Sequence, residues 1–178
     1  PQEEVFHFDA PWEGEVSHYA TVLEYAGEYR LYYRGWSADE RPVAAVATSK
    51  DGIHWNRLML NQYEWHGSRE NNIVWMDVGG HNFAPFVDNN PSTPDEERFK
   101  AVASTKGSDR VLNGYVSADG FRWRKFQEEP ILTDGFFDSQ NLAFWDEYRG
   151  HYVAFYREFR LPPGEHERKH GTRSIKWA

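Results

Sequence analysis

The sequence predicts an all-β protein made of repeated sheets, of the kind that pack around an axis as the blades of a β-propeller. Two observations support this prediction: one strand-turn-strand motif occurs twice, and no segment shows a sustained helical period. Residues 94–100 come nearest to a helix, but they are few, charged and opened by proline, so we expect at most one helical turn. The 178 residues are enough for one domain with a buried core.

The repeated motif is a tight turn with a fixed order of residues. Residues 49–55 read SKDGIHW and residues 117–123 read SADGFRW, and a short apolar run precedes each copy. Asp-Gly allows a turn with a positive φ, the Ser and Asp side chains cap backbone groups, and the Trp folds back over the hairpin. This turn chemistry accounts for Asp51 and Asp119, so we assign both residues to structure.

Extending the motif along the chain gives three blade-like units, at about residues 16–57, 82–126 and 138–178. Each unit contains a hairpin, and the second has a longer turn through Pro91 and Pro94. Blades of this kind cannot bury both faces alone, and propellers typically have about four to eight of them. We therefore expect the whole chain to be a single partial propeller domain, which is a fragment or completes its ring with another chain.

The composition excludes several classes of function. A net charge of −8 argues against nucleic-acid binding, which needs clustered Lys and Arg. No apolar run reaches the length of a membrane span, so we expect no membrane partner. The chain has no Cys, and its 8 His have no recognised ligand spacing, so we predict neither a metal site nor another cofactor. Aromatic residues make up 17% of the chain, which suits both β-strands and surfaces that stack on sugars.

Several segments resemble one known group of proteins. Residues 29–35 (YRLYYRG), 71–75 (NNIVW) and 137–146 (FDSQNLAFWD), together with both copies of the turn, are similar to the glycosidase-like five-bladed β-propellers. This group includes relatives of the arabinanase, β-xylosidase and invertase or levanase glycoside hydrolases. The resemblance covers nearly the whole chain. It implies a five-bladed architecture, a carbohydrate ligand and a periplasmic or secreted location.

The resemblance also implies three carboxylates in the central funnel, which act as base or nucleophile, as pKa-tuning orienter and as general acid. Their positions in this sequence would be just before Ala20, Ala84 and Ala143. The third position is matched by Asp138. Where the other two carboxylates are expected, the sequence has His81 and Asn82 before the second blade, and Ser17, His18 and Tyr19 before the first.

Four acids are candidates for catalysis, because glycoside hydrolysis needs two carboxyl groups about 5 to 10 Å apart. Asp138 lies in a polar segment flanked by rings at a strand entrance, and its alternative role is to cap a turn. Asp9 and Glu13, in the loop that leads into the first blade, are candidates for the second carboxylate or else solvated loop acids. Glu158 stands where the resemblance places the general acid, and strand alternation puts it on the opposite face from Arg157.

Eight further residues are candidates for binding a sugar. His81 follows two glycines that would permit close approach of the backbone to a ligand, and its alternative is a structural histidine. Arg157 beside Asp138 would favour the charged carboxylate and hence a nucleophile, base or sugar-anchoring role. The remaining candidates are polar residues at strand entrances and rings that could stack on a sugar, namely Asn82, Gln140, Asn141, His18, Trp12 and Trp36.

Three functions follow from these residues. The first is a glycoside hydrolase or hydrolase-like protein that acts on a poly- or oligosaccharide, with Asp138 as one catalytic carboxylate. The second is a carbohydrate-binding propeller without activity, which the missing carboxylates before the first two blades favour. The third is a scaffold whose third blade is completed by a partner chain through strand addition, which would make the protein an oligomer.

Overall fold

The computed structural model describes residues 3–16, 18–36, 41–76, 79–105, 108–165 and 170–178. Ser17, one of the residues considered before the first blade, lies outside these ranges. Within them the regular secondary structure is almost entirely β-strand, arranged as three separate antiparallel sheets. The one helical turn expected near residue 95 is a 3-10 helix, Asp95–Glu97. No helix among the described residues is long and apolar enough to cross a membrane.

The first sheet, blade 1, has the strand order β1-β2-β3-β4, and β5 pairs with β3 beyond the end of β4. A register shift between Ala44 and Ala45 accompanies the pairing of β3 with β5. Sequence reasoning did not predict β5 as a strand. The five strands are β1 (Thr21–Tyr25), β2 (Glu28–Gly35), β3 (Val43–Ser49), β4 (Trp55–Arg57) and β5 (Ile73–Met76).

The second and third sheets, blades 2 and 3, repeat this antiparallel order. Blade 2 consists of β6 (Ala84–Val87), β7 (Phe99–Thr105), β8 (Ser108–Ser117) and β9 (Arg124–Lys125). Blade 3 consists of β10 (Leu142–Asp146), β11 (His151–Arg160) and β12 (Thr172–Trp177). The 3-10 helix lies in the longer connection between β6 and β7.

Successive blades pack face to face, with the first strand of each blade lying beside that of the next. The strand β6 lies next to both β1 and β10. Buried apolar side chains fill the spaces between the sheets, as expected for propeller blades that cannot bury both faces alone. Between blades 1 and 2 these include Tyr32, Phe83, Phe99, Tyr115 and Trp123. Between blades 2 and 3 they include Ala84, Val102, Leu112, Phe137 and Tyr156.

Both copies of the Ser-x-Asp-Gly-x-x-Trp turn have the predicted structure. Asp51 Oδ1 accepts hydrogen bonds from the backbone N–H groups of residues 53 and 54, both at 2.8 Å. Asp119 Oδ1 accepts from those of residues 121 and 122, at 2.8 and 2.7 Å. The indole Nε1 of Trp55 donates to the Gly52 carbonyl oxygen at 3.1 Å, and Trp123 repeats this contact at 2.9 Å. The assignment of these two aspartates to structure is therefore confirmed.

The second turn also joins blade 2 to blade 1. Arg30 Nη1 donates to the Asp119 carbonyl oxygen at 2.5 Å, and Tyr32 OH donates to that of Gly120 at 3.0 Å. The Arg30 guanidinium lies 4.3 Å from the centre of the Phe121 ring. Polar and aromatic contacts therefore fix the angle between the two blades.

Candidate functional site

The segments that precede the three inner strands lie close together. Gln140 Nε2, before β10, donates to Thr21 Oγ1 at the first residue of β1, at 2.9 Å. Asn82, before β6, donates its side-chain amide to the carbonyl oxygens of Phe137 and Ser139, at 2.6 and 2.7 Å. The entrances of β1, β6 and β10 therefore meet in one shared region, which we call the strand-entrance site.

Asp138 brings a carboxylate to this site. Its Oδ1 lies 2.8 Å from Arg157 Nη2, and the two side chains are 27% and 16% exposed, so the pair is reachable from solvent without being fully hydrated. The backbone of Arg157 also accepts a hydrogen bond from Phe136 N at 3.1 Å, which ties the loop that carries Asp138 to β11. The predicted pairing of Asp138 with Arg157 is present in the structure.

Two buried amides hold the backbone on either side of Asp138. Asn141 Nδ2 donates to the same two carbonyl oxygens as Asn82, those of Phe137 and Ser139, at 3.1 and 3.0 Å. Asn82 and Asn141 are 1% and 0% exposed. Both residues were predicted to bind a substrate, and their contacts favour a different role, which is to position the loop that presents Asp138.

A buried arginine occupies the blade 1 side of the site. The Arg34 guanidinium lies 4.1 Å from the centre of the Tyr19 ring and 5.1 Å from that of Trp36, and it donates to the His81 carbonyl oxygen at 3.3 Å. Burial lowers the pKa of Arg34, and the neighbouring Tyr19 opposes that shift. Tyr19 has a φ of 44°, in the left-handed region that non-glycine residues rarely adopt.

Two histidines that were predicted to bind a sugar lie beside this arginine. His18 Nδ1 lies 2.9 Å from the Arg34 carbonyl oxygen, and its ring stacks on Phe8 with 3.7 Å between centroids. His81 is partly buried, and its own carbonyl oxygen is the group that contacts Arg34. The structure therefore brings both histidines to the entrances of their blades, and packing and hydrogen bonds hold His18 in place.

The two glycines before His81 are explained by packing within the protein, which is a different reason from the one predicted. A Cβ on Gly79 would lie 2.8 Å from the hydroxyl oxygen of Tyr115, and one on Gly80 would collide with the Pro42 carbonyl oxygen. Both glycines are therefore required by packing within the protein, between blades 1 and 2. The expectation that they make room for a ligand is corrected.

The two acids of the first loop gather around one arginine of blade 1. Glu13 is fully buried: its Oε1 accepts from Tyr33 OH at 2.5 Å and from Arg57 Nε at 2.8 Å, and its Oε2 accepts from Ala10 N at 2.8 Å. Asp9, which is 74% exposed, lies 2.8 Å from Arg57 Nη2. The hydrogen bond that Arg57 donates to Glu13 raises the pKa of Arg57. Burial, followed by the charge of Glu13, raises the pKa of Tyr33. These contacts favour a structural role for Glu13.

The two predicted stacking rings lie in different surroundings. Trp12 Nε1 donates to Asn72 Oδ1 at 2.8 Å, and its ring packs with Phe6 and Phe8 over the face of blade 1 that points away from blade 2. Trp36 lies against Arg34 in the strand-entrance site. Of the two rings, Trp36 is therefore the one placed among the other site residues.

Glu158 lies on the other face of β11 from Arg157, as strand alternation predicts. One carboxylate oxygen accepts from the backbone N of Phe159 at 3.0 Å, and the other lies 3.7 Å from Lys176 Nζ. Lys176 makes a shorter ion pair, 2.6 Å, with Asp134. Glu158 therefore belongs to a charged group at the edge of blade 3, while Arg157 turns toward Asp138.

Sequence reasoning missed Arg34 and did not propose Tyr19 as a binding residue. A signal was present, because residues 33–34 and residues 156–157 both read Tyr-Arg at the same distance from the hairpin glycine of their blade, within its second strand. Aligning these two copies would have paired Arg34 with Arg157. Among the described residues, no three acidic or histidine side chains are grouped closely enough to hold a metal ion.

Comparison with known proteins gives structural likenesses alone. No protein-family model matches the chain, and no curated protein matches it significantly. A glycosyl hydrolase from Bacteroides ovatus matches with a TM-score of 0.52 and 15% identity, over 89% of this chain and 46% of that one. A fructofuranosidase variant from Schwanniomyces occidentalis, complexed with fructosylnystose, matches with a TM-score of 0.57 and 15% identity, over 87% and 31%.

A third structure extends the same pattern. A protein from Parabacteroides distasonis that is assigned to the glycoside hydrolases matches with a TM-score of 0.51 and 17% identity, over 89% of this chain and 47% of that one. The chain thus spans about a third to a half of the length of these structures. At such low identity the likeness establishes the fold, a partial β-propeller of the kind found in glycoside hydrolases.

Proposed function

We propose that this chain contributes three blades to a five-bladed, carbohydrate-active propeller, and that Asp138 is the carboxylate that contacts the sugar in a glycoside hydrolase. The observation that carries the proposal is the Asp138–Arg157 pair, 2.8 Å apart, in which Asp138 lies on a loop held by hydrogen bonds from Asn82 before β6 and to Thr21 of β1. A carboxylate held in this way is available to a ligand at a point where three blades meet.

The chemistry that suits Asp138 is that of a charged carboxylate. A carboxylate beside a guanidinium can accept a hydrogen bond from a sugar hydroxyl, activate water or attack the anomeric carbon. Glycoside hydrolysis also needs a carboxylic acid that protonates the leaving oxygen. We propose that an acid from a further blade supplies this proton, since Glu158 lies on the other face of β11 from Arg157 and the described entrances of β1 and β6 contribute no carboxylate.

The surroundings of Asp138 suit a sugar as well. Tyr19 and Trp36 present rings beside Arg34, and sugars stack their apolar faces on rings while arginine and carboxylate groups bind their hydroxyls. Because one structural neighbour was solved with fructosylnystose, fructo-oligosaccharides are the first ligands to test, followed by arabinose and xylose oligomers.

A second function, carbohydrate binding without turnover, is favoured by a specific observation. Arg57 engages both Asp9 and Glu13, and Glu13 is fully enclosed by donors from the protein itself. Glu13 is therefore not accessible, and the exposed Asp9 is held beside Arg57 of β4, at the edge of blade 1, so neither acid supplies a second carboxylate at the strand-entrance site. If no other acid completes a catalytic pair, the protein would bind sugar and release it unchanged.

One experiment separates these functions. Arylglycosides and fructose, arabinose and xylose oligomers are screened for hydrolysis and for binding with the natural chain, with Asp138→Asn and with the exposed control Asp95→Asn. For a hydrolase, we expect turnover to fall about 100-fold or more in Asp138→Asn and to be unchanged in the control. Binding by all three proteins with turnover by none of them would support the second function. A folded chain that neither binds nor cleaves any of these sugars would contradict both.

A further inference from the structure

A groove lies between blades 2 and 3, apart from the strand-entrance site. Its volume is about 430 Å³, and its lining includes Val102, Tyr152, Ala154 and Ala178. None of the predicted site residues lines it. Along β12, which forms one side of blade 3, the described residues pair only with β11.

The repeat makes it possible to find the counterpart of this groove between blades 1 and 2. Tyr29 and Tyr152 each follow a hairpin glycine by two residues, and Tyr29 in blade 1 is paired with Ser49 just as Phe99 in blade 2 is paired with Ser117. Tyr29, Phe99 and Tyr152 therefore occupy the same position in their blades.

This alignment equates the walls of the two spaces. Lys100 and Val102 of blade 2 correspond to Arg30 and Tyr32 of blade 1, and Tyr152 of blade 3 corresponds to Phe99 of blade 2. By the same alignment Ala154 corresponds to Ala101. Ala178 exchanges hydrogen bonds with Ala154, and Tyr115 is paired with Ala101, so Ala178 corresponds to Tyr115.

The counterpart between blades 1 and 2 is filled by the turn of blade 2. Gly120 lies against Tyr32 and Phe99, and Trp123 is 9% exposed, with its ring centre 6.4 Å from that of Tyr32 and 5.0 Å from that of Phe83. Between blades 1 and 2 this space is filled by the turn and its tryptophan. The equivalent space between blades 2 and 3 is open, and it forms the groove.

We propose that the groove binds a polypeptide turn of the Ser-x-Asp-Gly-x-x-Trp kind, which runs on in line with β12 as the fourth strand of blade 3. The apolar wall at Val102 takes the place that Tyr32 has beside Trp123. Two lining residues from opposite sides of the groove, Lys100 of blade 2 and Tyr152 of blade 3, are held together by Asp88, whose Oδ2 accepts from Lys100 Nζ at 2.5 Å and from Tyr152 OH at 2.7 Å. A preformed groove of this shape lowers the entropic cost of binding. The proposal is independent of any activity at Asp138.

The test extends the chain with its own turn. Because Ala178 corresponds to Tyr115, a copy of residues 116–125 (VSADGFRWRK) is joined directly after Ala178. The control carries the same extension with the change Trp123→Ala made in the copy only, so that Trp123 of the chain itself is kept. We expect the tryptophan extension to melt about 5 °C or more above the control, since burying a Trp side chain strongly stabilises a domain of this size. We also expect slower amide exchange in residues 172–177.

A second readout keeps the test decisive. The methyl resonances of Val102 and Ala178 should shift with the tryptophan extension and not with the control, because the indole ring would lie against them. If an extension disturbs the fold, a synthetic peptide of residues 116–125 is added to the unextended chain, and the same methyl groups are followed against the Trp123→Ala peptide. Equal melting temperatures and unmoved methyl resonances with both sequences would overturn the proposal.

Discussion

Asn82 donates its side-chain amide to the Ser139 carbonyl oxygen at 2.7 Å, across 57 residues of sequence and from one blade to the next. The acceptor belongs to the residue that follows Asp138. The position of Asp138 in the strand-entrance site therefore depends on a buried amide of another blade, and the first prediction tests this dependence.

Replacing Asn82 by Asp keeps the shape of the side chain and removes its donors. A carboxylate would then face the carbonyl oxygens of Phe137 and Ser139, so we expect a loss of about 2–5 kcal/mol in the free energy of unfolding. Urea unfolding measures this loss. The exposed Asn89→Asp is the matched control, with a change within about 0.5 kcal/mol. Equal effects of the two substitutions would show that the amide does not hold the loop.

The two turn glycines provide a second matched pair. Gly52 and Gly120 have φ values of 75° and 76°, so alanine at either position costs about 1–2 kcal/mol of backbone strain. At Gly52 the new Cβ would meet only Tyr29, at 4.0 Å. At Gly120 it would lie 2.7 Å from the Tyr32 hydroxyl and would also collide with Arg30. We expect Gly120→Ala to destabilise by about 1–3 kcal/mol more than Gly52→Ala in urea unfolding.

This comparison isolates the contact between the blades from the turn itself. If the two alanine variants have the same stability, then the turn of blade 2 does not press against blade 1 in the way described. The groove between blades 2 and 3 would then have no filled counterpart, and the inference about it would lose its basis.

Glu13 tests whether a buried acid is structural or catalytic. Glu13→Gln leaves Arg57 with a weaker partner in a buried site, so we expect a loss of about 3–5 kcal/mol in the free energy of unfolding. Glu15→Gln, at an exposed residue of the same loop, should change stability by less than about 0.5 kcal/mol. Sugar binding measured well below the melting temperature should be the same in both. A stable Glu13→Gln variant that still binds sugar but loses the turnover of the natural chain would instead support the catalytic prediction.

Asp88 gives the chain a specific dependence on pH. Burial by itself raises the pKa of this carboxyl, but hydrogen bonds from Lys100, Thr93 and Tyr152 outweigh burial, and the pKa lies below the usual 3.8. Because the pKa of Asp88 is lower in the folded state, ionised Asp88 contributes its full stability above the ordinary value of 3.8, and this contribution is lost as the pH falls from there through the folded-state pKa.

We therefore expect Asp88→Asn to be less stable than the natural chain by about 3 kcal/mol at pH 7, because Lys100 loses its buried partner. The difference should narrow as the pH falls below about 3.8. Urea midpoints measured at pH 7, 5 and 3 check this trend. The exposed Asp95→Asn should show no comparable difference at any of the three, and a gap that stays constant down to pH 3 would contradict the assignment.

Much of the fold was predictable because its determinants are local. The Ser-x-Asp-Gly-x-x-Trp turns, the hairpin at Gly27 and the single helical turn near residue 95 follow from residues adjacent in sequence. The strand β5 was not predicted, because the four residues Ile73–Met76 are stabilised by pairing with β3, and nothing in their own sequence requires that pairing.

The site was predicted less completely, because its decisive contacts join distant residues. The pairing of Asp138 with Arg157 could be proposed from the shape of one blade. The role of Asn82 could not, since its acceptors lie on another blade, and the enclosure of Glu13 depends on Arg57 from the outer strand of blade 1. In each case the sequence suggested a polar residue near a strand entrance, and three-dimensional contacts decided its task.

The most direct measurement is a crystal structure of the chain with a bound oligosaccharide, chosen from the sugars that bind in the screen. If Asp138 is the sugar-contacting carboxylate, a sugar oxygen will lie within about 3 Å of its side chain, with rings of the strand-entrance site against the sugar face. A sugar that occupies another surface and leaves the Asp138–Arg157 pair untouched would contradict the account.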